Sequence, residues 1–308
     1  TLTPLTTAEL PKTFEEMWSA FDPTVEPLDT EVLHQTEVND VILQVVRIRV
    51  GIFKGQKSMI AGIFGFPKGG TNLPGLLEIH GGGQYAGSQA ALVNAKQGYA
   101  TFSMAWAGRL IMDGYTVGPE QVNLFFNNAV NDPNYRLTTD WGALDGYHGP
   151  SRYPENDIHN IDPYTWTIDP VQSPRNNLWF LGAMAGRRII TFLQQQSFID
   201  ASRIGVYGHS MGAKHTFQVV AADNRVVAAA ISAGGISDRD GNSEIYNTFT
   251  ADQSVLKRIT VPTMLCMPSN DFNGVFDDLP KALQEIDTLE WRTSISPHHN
   301  HQDNEEFE

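Results

Sequence analysis

The chain has 308 residues with 41% hydrophobic content, which predicts a single α/β domain over residues 1–308 with a sizeable core. Its 35 acidic and 21 basic side chains give a formal net charge of −14, which argues against nucleic-acid backbones and anionic membranes as partners. The sequence contains no uncharged apolar run of about 18 residues, and its one cysteine, Cys266, excludes an internal disulfide.

The compartment and the oligomeric state stay open from the sequence. The chain starts at Thr1 without a charged and then apolar signal segment. Such a start is compatible with an exported protein whose signal has been removed, and equally with a cytoplasmic one.

The first third of the chain predicts an arm followed by antiparallel strands. Residues 1–28 contain four prolines and one short helical pattern, which is typical of an N-terminal arm. β-branched residues dominate 41–50, and Asn39-Asp40 just before them predicts a hairpin turn. We therefore expect antiparallel strands at one edge of the sheet.

Strands and helices alternate in the rest of the chain, apart from one long interruption. Such alternation predicts a mostly parallel sheet covered by helices. The predicted strands are 74–80, 99–104, 203–207, 226–232, 261–267 and 289–295, and the predicted helices are 90–96, 178–196, 211–222 and 276–286.

The interruption covers residues 108–177, where glycine, proline, asparagine and aromatic residues dominate and neither strand nor helix periodicity persists. A stretch of this length without regular structure inside a compact domain is usually functional, so we predict an insertion or lid over the active site. Its aromatic side chains include Trp141 and Trp166, which are candidates for stacking on sugar rings. Packing within a small core of the insertion is the simpler interpretation of both.

The segment Gly208-His209-Ser210-Met211-Gly212 directly follows an apolar strand pattern and precedes a helical one. G-x-S-x-G in this setting is typical of a nucleophile elbow, because the glycines let the helix pack closely against the strand. Ser210 is therefore the predicted nucleophile of a serine hydrolase.

A serine hydroxyl needs a base to take its proton and an acid to orient that base. Open α/β sheets bind ligands beyond the carboxyl ends of their strands, so both groups should follow strands. Asp271 follows the strand predicted at 261–267, and His301 follows the one at 289–295. The chain order Ser210, Asp271, His301 is the order expected of such a triad.

Further residues compete for both roles. His301 is preferred as the base because it is farthest from its strand end and can fold back over the serine, with His299 and then His298 as alternatives. Asp238 and Asp240 are the alternative acids. The three histidines could also be metal ligands, but no helix-spaced pair accompanies them, so we expect neither a metal nor a cofactor.

Glycines also follow the strand predicted at 74–80, in the run His80-Gly81-Gly82-Gly83. Backbone N–H groups of such a loop can stabilise the oxyanion that forms during acyl transfer. We predict that the N–H of Gly82 or Gly83 acts together with that of Met211, while His80 supports the loop.

On these residues the chain resembles the α/β-hydrolase superfamily over roughly residues 35–301, through Ile79–Gly83, Ile199–Gly212 and Asn270-Asp271. Within the superfamily it is similar to acetyl xylan esterases and dienelactone-hydrolase-like proteins. This similarity implies an α/β-hydrolase fold and an esterase for a small acyl ester, with a small-molecule or carbohydrate ester as the substrate. Dienelactone hydrolases proper use a cysteine nucleophile, whereas this chain has serine.

Three further hypotheses for the function stay open. Lys214 resembles the lysine with which glucuronoyl methylesterases contact the sugar, but those enzymes carry arginine where this chain has Met211. The simpler interpretation of Lys214 is a charge on the helix surface. The second hypothesis is a peptidase of the prolyl-oligopeptidase type, and the third is a catalytically inactive hydrolase fold used for binding.

Overall fold

A computed structural model describes residues 2–127, 129–135, 158–164, 167–241 and 243–302 of the chain. Most of the described strands belong to one nine-stranded sheet. Its members are β1 (Glu31–Val38), β2 (Val41–Phe53), β3 (Gln56–Pro67), β4 (Leu73–Ile79), β6 (Ala100–Met104), β9 (Ile199–His209), β10 (Val226–Ser232), β11 (Thr263–Pro268) and β12 (Trp291–Ser296). The three short strands β5 (Ala86–Gly87), β7 (Leu110–Met112) and β8 (Tyr115–Val117) form a second sheet.

The large sheet is antiparallel at one edge and parallel elsewhere. Its strands lie in the order β1, β2, β3, β6, β4, β9, β10, β11, β12. The pairs β1–β2, β2–β3 and β3–β6 are antiparallel, and every pair from β6 to β12 is parallel. The predicted arrangement of the sheet is therefore confirmed.

The chain order reverses between β4 and β9. From β4 the chain continues to β6 on one side, and it later returns to form β9 on the other side. Ile79 at the end of β4 pairs with Gly208 near the end of β9, so the carboxyl ends of the two strands lie level. Such a reversal opens a crevice at the strand ends, where open α/β sheets bind their ligands.

Helices cover both faces of the sheet. α2 packs against β2, β3 and β6 over the smaller of the two main hydrophobic clusters, and α4 and α5 pack on β4 and β9 over the larger one. The described helices are α1 (Phe14–Ser19), α2 (Ser88–Lys96), α3 (Pro119–Phe126), α4 (Leu178–Gln194), α5 (Met211–Ala222), α6 (Glu244–Phe249), α7 (Asp252–Leu256) and α8 (Leu279–Glu285). No helix in the described ranges is long and apolar enough to cross a membrane.

The predicted N-terminal arm packs against α4. Phe14, Met17 and Trp18 of α1 are buried in the larger hydrophobic cluster. The guanidinium of Arg187 on α4 lies 5.0 Å from the centre of the Trp18 ring. The arm therefore belongs to the same packed structure as the helix that follows the predicted insertion.

The prediction that residues 108–177 lack regular structure is wrong in part. Strands β7 and β8 and helix α3 lie in this range, and a short 3₁₀ helix, Pro174–Asn176, precedes α4. These elements are only three to eight residues long, which is too short to establish a periodic pattern in the sequence. The helix predicted at 276–286 divides into a 3₁₀ turn, Phe276–Asp278, followed by α8.

α4 and α5 contact each other around the buried side chain of His215. Its ring lies 4.8 Å from the Trp106 ring and 4.6 Å from the Trp179 ring, measured between ring centres. A Cβ atom at Gly182 of α4 would lie 2.2 Å from His215 Cε1, so only glycine leaves room for the imidazole there. Burial, followed by the charges of His80 and Lys214, lowers the pKa of His215 from 6.5 to about 3.

This pKa predicts that His215 makes the protein less stable in acid. Between pH 6.5 and about pH 3 the unfolded chain binds a proton at His215 that the folded protein does not bind. The free energy of unfolding should therefore fall by up to about 1.4 kcal/mol for each pH unit below 6.5, relative to a His215→Leu variant. Urea unfolding of both proteins at several pH values measures this difference. Parallel pH profiles of the two proteins would contradict the assignment.

Candidate active site

Ser210 lies in a sharp turn between β9 and α5. Its backbone has φ 56° and ψ −119°, which is a strained conformation for a residue with a side chain. A Cβ atom at Gly212 would lie 1.9 Å from the Ile79 carbonyl oxygen, so the first turn of α5 can approach β4 only with glycine there. The Ser210 N–H donates to the Ser232 carbonyl oxygen at 2.8 Å, which ties the turn to the end of β10. The geometry is that of a nucleophile elbow.

The three residues predicted as a triad lie in hydrogen-bond contact. Ser210 Oγ is 2.6 Å from His301 Nε2. His301 Nδ1 is 2.9 Å from Asp271 Oδ1 and 3.0 Å from Asp271 Oδ2. The Asp271 side chain is fully buried, while that of His301 is 16% exposed. Each ring nitrogen of His301 thus has one partner, as a base oriented by a carboxylate requires.

The loops after β11 and β12 hold this arrangement together. Asn270 Nδ2 donates to Asn300 Oδ1 at 2.7 Å, and the Asn300 N–H donates to Asn270 Oδ1 at 2.9 Å. The residues next to the carboxylate and next to the imidazole are therefore joined side by side. Both loops follow the carboxyl ends of neighbouring parallel strands, so residues 30 positions apart in sequence meet at one edge of the sheet.

The alternative bases lie elsewhere on the second loop. His298 is exposed and has φ 64°, and His299 is half-buried. Among the residues that the structure describes, neither forms a hydrogen bond with Ser210 or Asp271. The geometry therefore brings the preferred histidine, and not its two neighbours, to the serine.

The glycine loop after β4 lies beside Ser210. Gly82 and Met211 line the same cleft as Ser210. Met211 is the first residue of α5, and the first N–H groups of a helix have no acceptor within the helix. The Gly83 carbonyl oxygen accepts a hydrogen bond from Arg109 Nη1 at 3.1 Å, and Gly83 is not among the lining residues of the cleft. This placement favours Gly82 over Gly83 as the partner of Met211.

His80 supports this loop from below. The residue is buried, and its Nδ1 lies 2.7 Å from the Gly81 carbonyl oxygen. Its own carbonyl oxygen accepts a hydrogen bond from Trp106 Nε1 at 2.8 Å, and the two rings are stacked at 5.3 Å. The imidazole of His80 is thus held within the packed base of the loop.

A cleft of about 380 Å³ opens in front of Ser210. Ile158 and His159 line it, so part of the predicted insertion borders the site. Trp141 and Trp166, the predicted stacking residues of the insertion, lie outside the described residues. Other walls come from α4, α5, the start of α7 and the loops after β10 and β11, with Trp179, Lys214, Ser237, Asp238, Asp252 and Asn273 among the lining residues.

Lys214 is buried beneath this cleft, with 4% of its surface exposed. Its ammonium nitrogen lies 3.0 Å from the Thr250 carbonyl oxygen, 2.8 Å from Asp252 Oδ1 and 2.9 Å from Asp238 Oδ2. These three acceptors account for the three N–H bonds of the ammonium. The interpretation of Lys214 as a helix-surface charge is therefore wrong.

The alternative acid Asp238 belongs to this buried cluster around Lys214, and it does not lie beside one of the histidines after β12. His159 Nε2 is 3.1 Å from its Oδ1, and the Tyr246 hydroxyl donates to its Oδ2. The alternative acid Asp240 is exposed and forms no hydrogen bond through its side chain with any residue that the structure describes. Of the candidate acids, only Asp271 contacts His301.

The cluster keeps Lys214 charged. Burial by itself lowers the pKa of the Lys214 ammonium, but the negative charges of Asp252 and Asp238 and the Tyr246 phenol outweigh burial and raise that pKa above its ordinary value. For Asp238, burial raises the pKa of the carboxyl, but Lys214, His159 and Tyr246 lower it further than burial raises it. A fixed positive charge thus stands between two carboxylates at the floor of the cleft.

Several residues of the site were not predicted from the sequence. Gly234 lies so close to the elbow that a Cβ atom there would be 2.4 Å from the Ser210 carbonyl oxygen. Its signal was the run Ala233-Gly234-Gly235 directly after a predicted strand, which is the context of an active-site loop. Asp252, Tyr246 and His159 carry no comparable signal, because their partners are distant in sequence. Across the described ranges, no group of three or more His, Cys, Asp or Glu side chains is placed to hold a metal ion.

Solved structures of other proteins share this fold, although no family model matches the sequence. The acetyl xylan esterase from Paenibacillus sp. R4 superposes with a TM-score of 0.65 at 15% identity, covering 98% of this chain and 92% of that one. Acetyl xylan esterase 1 from Thermoanaerobacterium sp. JW/SL YS485 gives a TM-score of 0.60 at 15% identity, with the same 98% and 92% coverage.

A third similar structure is the alpha/beta hydrolase GrgF from Penicillium sp. sh18. Its TM-score is 0.53 at 14% identity, and the match covers 83% of this chain and 91% of that chain. At these identities the similarity shows the fold and not the activity. The sheet order, the elbow between β9 and α5 and these neighbours together show that the chain has the α/β-hydrolase fold.

Proposed function

We propose that the protein is a serine carboxylic-ester hydrolase for small acyl esters, with carbohydrate-linked esters as the favoured substrates. The observation that carries the proposal is the continuous hydrogen-bonded series from Ser210 Oγ through His301 to Asp271. The preference for carbohydrate-linked esters draws on the similarity in fold to the two acetyl xylan esterases.

In the proposed reaction, Ser210 Oγ attacks the ester carbonyl carbon while its proton passes to His301 Nε2. Asp271 holds the imidazole in the tautomer with a proton on Nδ1 and stabilises the imidazolium that forms. The carbonyl oxygen becomes an oxyanion, to which the N–H groups of Gly82 and Met211 donate. Removing one such donor typically costs about 10²–10³-fold in kcat.

The tetrahedral intermediate collapses when the bond to the alcohol oxygen breaks and that oxygen takes the proton from His301 Nε2. An acyl group then remains on Ser210 Oγ. Water attacks this second ester with His301 again as the base, and the acid is released. In this second half the bond from the acyl carbon to Ser210 Oγ breaks, and His301 passes the proton taken from water to Ser210 Oγ. The serine is thereby restored, and these steps require no cofactor.

The glucuronoyl-methylesterase alternative gains little from Lys214, because the three acceptors around its ammonium leave no N–H bond for a sugar. The lysine stabilises the floor of the cleft instead. We therefore favour an ester of a neutral alcohol and a small acid over a glucuronate ester whose sugar would be bound by this ammonium.

The test is labelling and turnover of the purified chain. A fluorophosphonate probe is expected to label the protein covalently and to label Ser210→Ala not at all, because the probe reacts with an activated serine. The wild type should hydrolyse 4-nitrophenyl acetate and leave a 4-nitroanilide of a peptide intact. No labelling and no turnover would support an inactive binding module, and cleavage of the anilide at comparable rates would support a peptidase.

A further inference from the structure

Phe272, the residue after Asp271, is an exposed aromatic side chain beside the candidate base. Its surface is 73% exposed, and its ring centre lies 5.5 Å from that of His301. Tyr99, the other aromatic residue among the exposed large hydrophobic side chains of the described ranges, is only 36% exposed. The ring therefore presents an apolar face beside the candidate base, and a ligand bound there would cover it.

The loop that carries Phe272 is held in place. The Asn273 N–H donates to Asp271 Oδ1 at 2.7 Å, and the Ser269 N–H donates to the Ser296 carbonyl oxygen at 3.0 Å. The contacts that fix Asp271 therefore also fix the two residues after it. A ring held on a rigid loop binds a partner without a large entropic cost.

Asn273 adds a polar group at the same place. Asn273 is exposed and lines the cleft in front of Ser210, whereas Phe272 lies just outside the lining, next to His301. Within the described part of the chain, its side-chain amide has no hydrogen-bond partner. An amide can both donate and accept, which suits the hydroxyl groups of an alcohol.

The chemistry proposed above decides which part of the substrate reaches these residues. The alcohol oxygen must lie within hydrogen-bond distance of His301 Nε2, since that nitrogen returns the proton to it. The acyl carbonyl must face the N–H groups of Gly82 and Met211 instead. In the bound ester, the carbon atoms of the alcohol therefore extend from the reaction centre on the side of His301. Phe272 lies on that side.

The geometry points to an alcohol subsite formed by the ring of Phe272 and the side-chain amide of Asn273, and its chemistry fits a neutral sugar ring. The C–H face of a pyranose packs on the phenyl ring, and its hydroxyl groups bond to the amide. This inference rests on the proposed function. It makes the alcohol, rather than the acyl group, the part of the substrate that this loop selects.

The test compares three acetate esters that differ only in the alcohol: ethyl acetate, cyclohexyl acetate and a mono-acetylated methyl xylopyranoside. Phe272→Ala is expected to lower kcat/KM by about tenfold for the two ring alcohols, mainly through KM, and to leave ethyl acetate within about twofold. Phe272→Tyr should retain the activity on all three esters. Asn273→Ala should lower kcat/KM for the xyloside alone.

Leu289→Ala provides the matched control. Leu289 is 92% exposed and precedes β12, so it lies at the opposite end of the parallel strands from Ser210. Its replacement should leave all three esters unaffected. An equal loss on all three esters with Phe272→Ala would overturn the inference, because it would show that the ring only positions His301.

No loss on any ester would overturn it as well. Both results differ from failure of the proposed function, which would appear as no turnover of any ester by the wild type or as unchanged turnover by Ser210→Ala.

Discussion

Replacement of His301 by alanine is expected to lower kcat/KM for 4-nitrophenyl acetate by about 10⁴-fold or more. The reason is that Ser210 Oγ, at 2.6 Å from His301 Nε2, would lose the group that takes its proton. The residual rate should come from the oxyanion donors alone. Steady-state kinetics with purified protein measures the effect.

The two neighbouring histidines supply matched controls. His298→Ala and His299→Ala remove the same side chain from the same loop, and among the described residues neither ring forms a hydrogen bond with Ser210 or Asp271. Both variants should keep kcat/KM within a few-fold of the wild type. A large loss with His299→Ala and a small one with His301→Ala would reassign the base.

A double variant makes the test sharper. Residues that act as one unit lose activity together, so Ser210→Ala combined with His301→Ala should be no slower than either single variant. Additive losses would mean that the two side chains contribute independently. Circular dichroism of each variant should match the wild type, because Ser210 and His301 lie at the surface of the cleft rather than in the core.

The parallel part of the fold was predictable because its signals are local. β10 and β11 are mostly apolar runs, β9 contains the apolar run Ile204–Tyr207, and the elbow has a fixed spacing. The candidate triad was predicted from chain order together with the rule that sites form at strand ends. These inferences need no knowledge of distant contacts.

The missed features depend on contacts between distant residues. β5, β7 and β8 have two or three residues each, and they form a sheet only because they meet in space. Lys214 occupies a helix position where a charged residue is usually exposed. Its burial follows from Asp238 and Asp252, which lie 24 and 38 positions later in the sequence, and no local pattern indicates that they meet.

Replacement of Lys214 by methionine should destabilise the fold by about 3–5 kcal/mol, because it removes one partner of a buried ion cluster and leaves the others. The side chain of Asp252 is 3% exposed, and that of Asp238 is 23% exposed. Methionine fills similar space, so the loss measures charge rather than volume. Urea unfolding monitored by tryptophan fluorescence gives the difference.

Two further variants separate charge from packing. Lys214→Met combined with Asp252→Asn should be more stable than Lys214→Met alone, because the buried carboxylate without a counter-charge is gone. Lys281→Met is the surface control: its ion pair with Asp278 has a lysine side chain that is 65% exposed. Its effect should stay within about 0.5 kcal/mol.

The stability of the Lys214→Met variant should also depend on pH. Burial raises the pKa of the Asp252 carboxyl, the Lys214 ammonium opposes that rise, and the negative charge of Asp238 adds to it. Without the ammonium, the folded-state pKa of Asp252 should rise further above its value in the unfolded chain, so the folded variant holds a proton that the unfolded chain releases. Stability is then kept at low pH and lost as the pH rises through the folded-state pKa. The deficit relative to the wild type should therefore shrink as the pH is lowered, and a deficit independent of pH would show that Lys214 acts through packing.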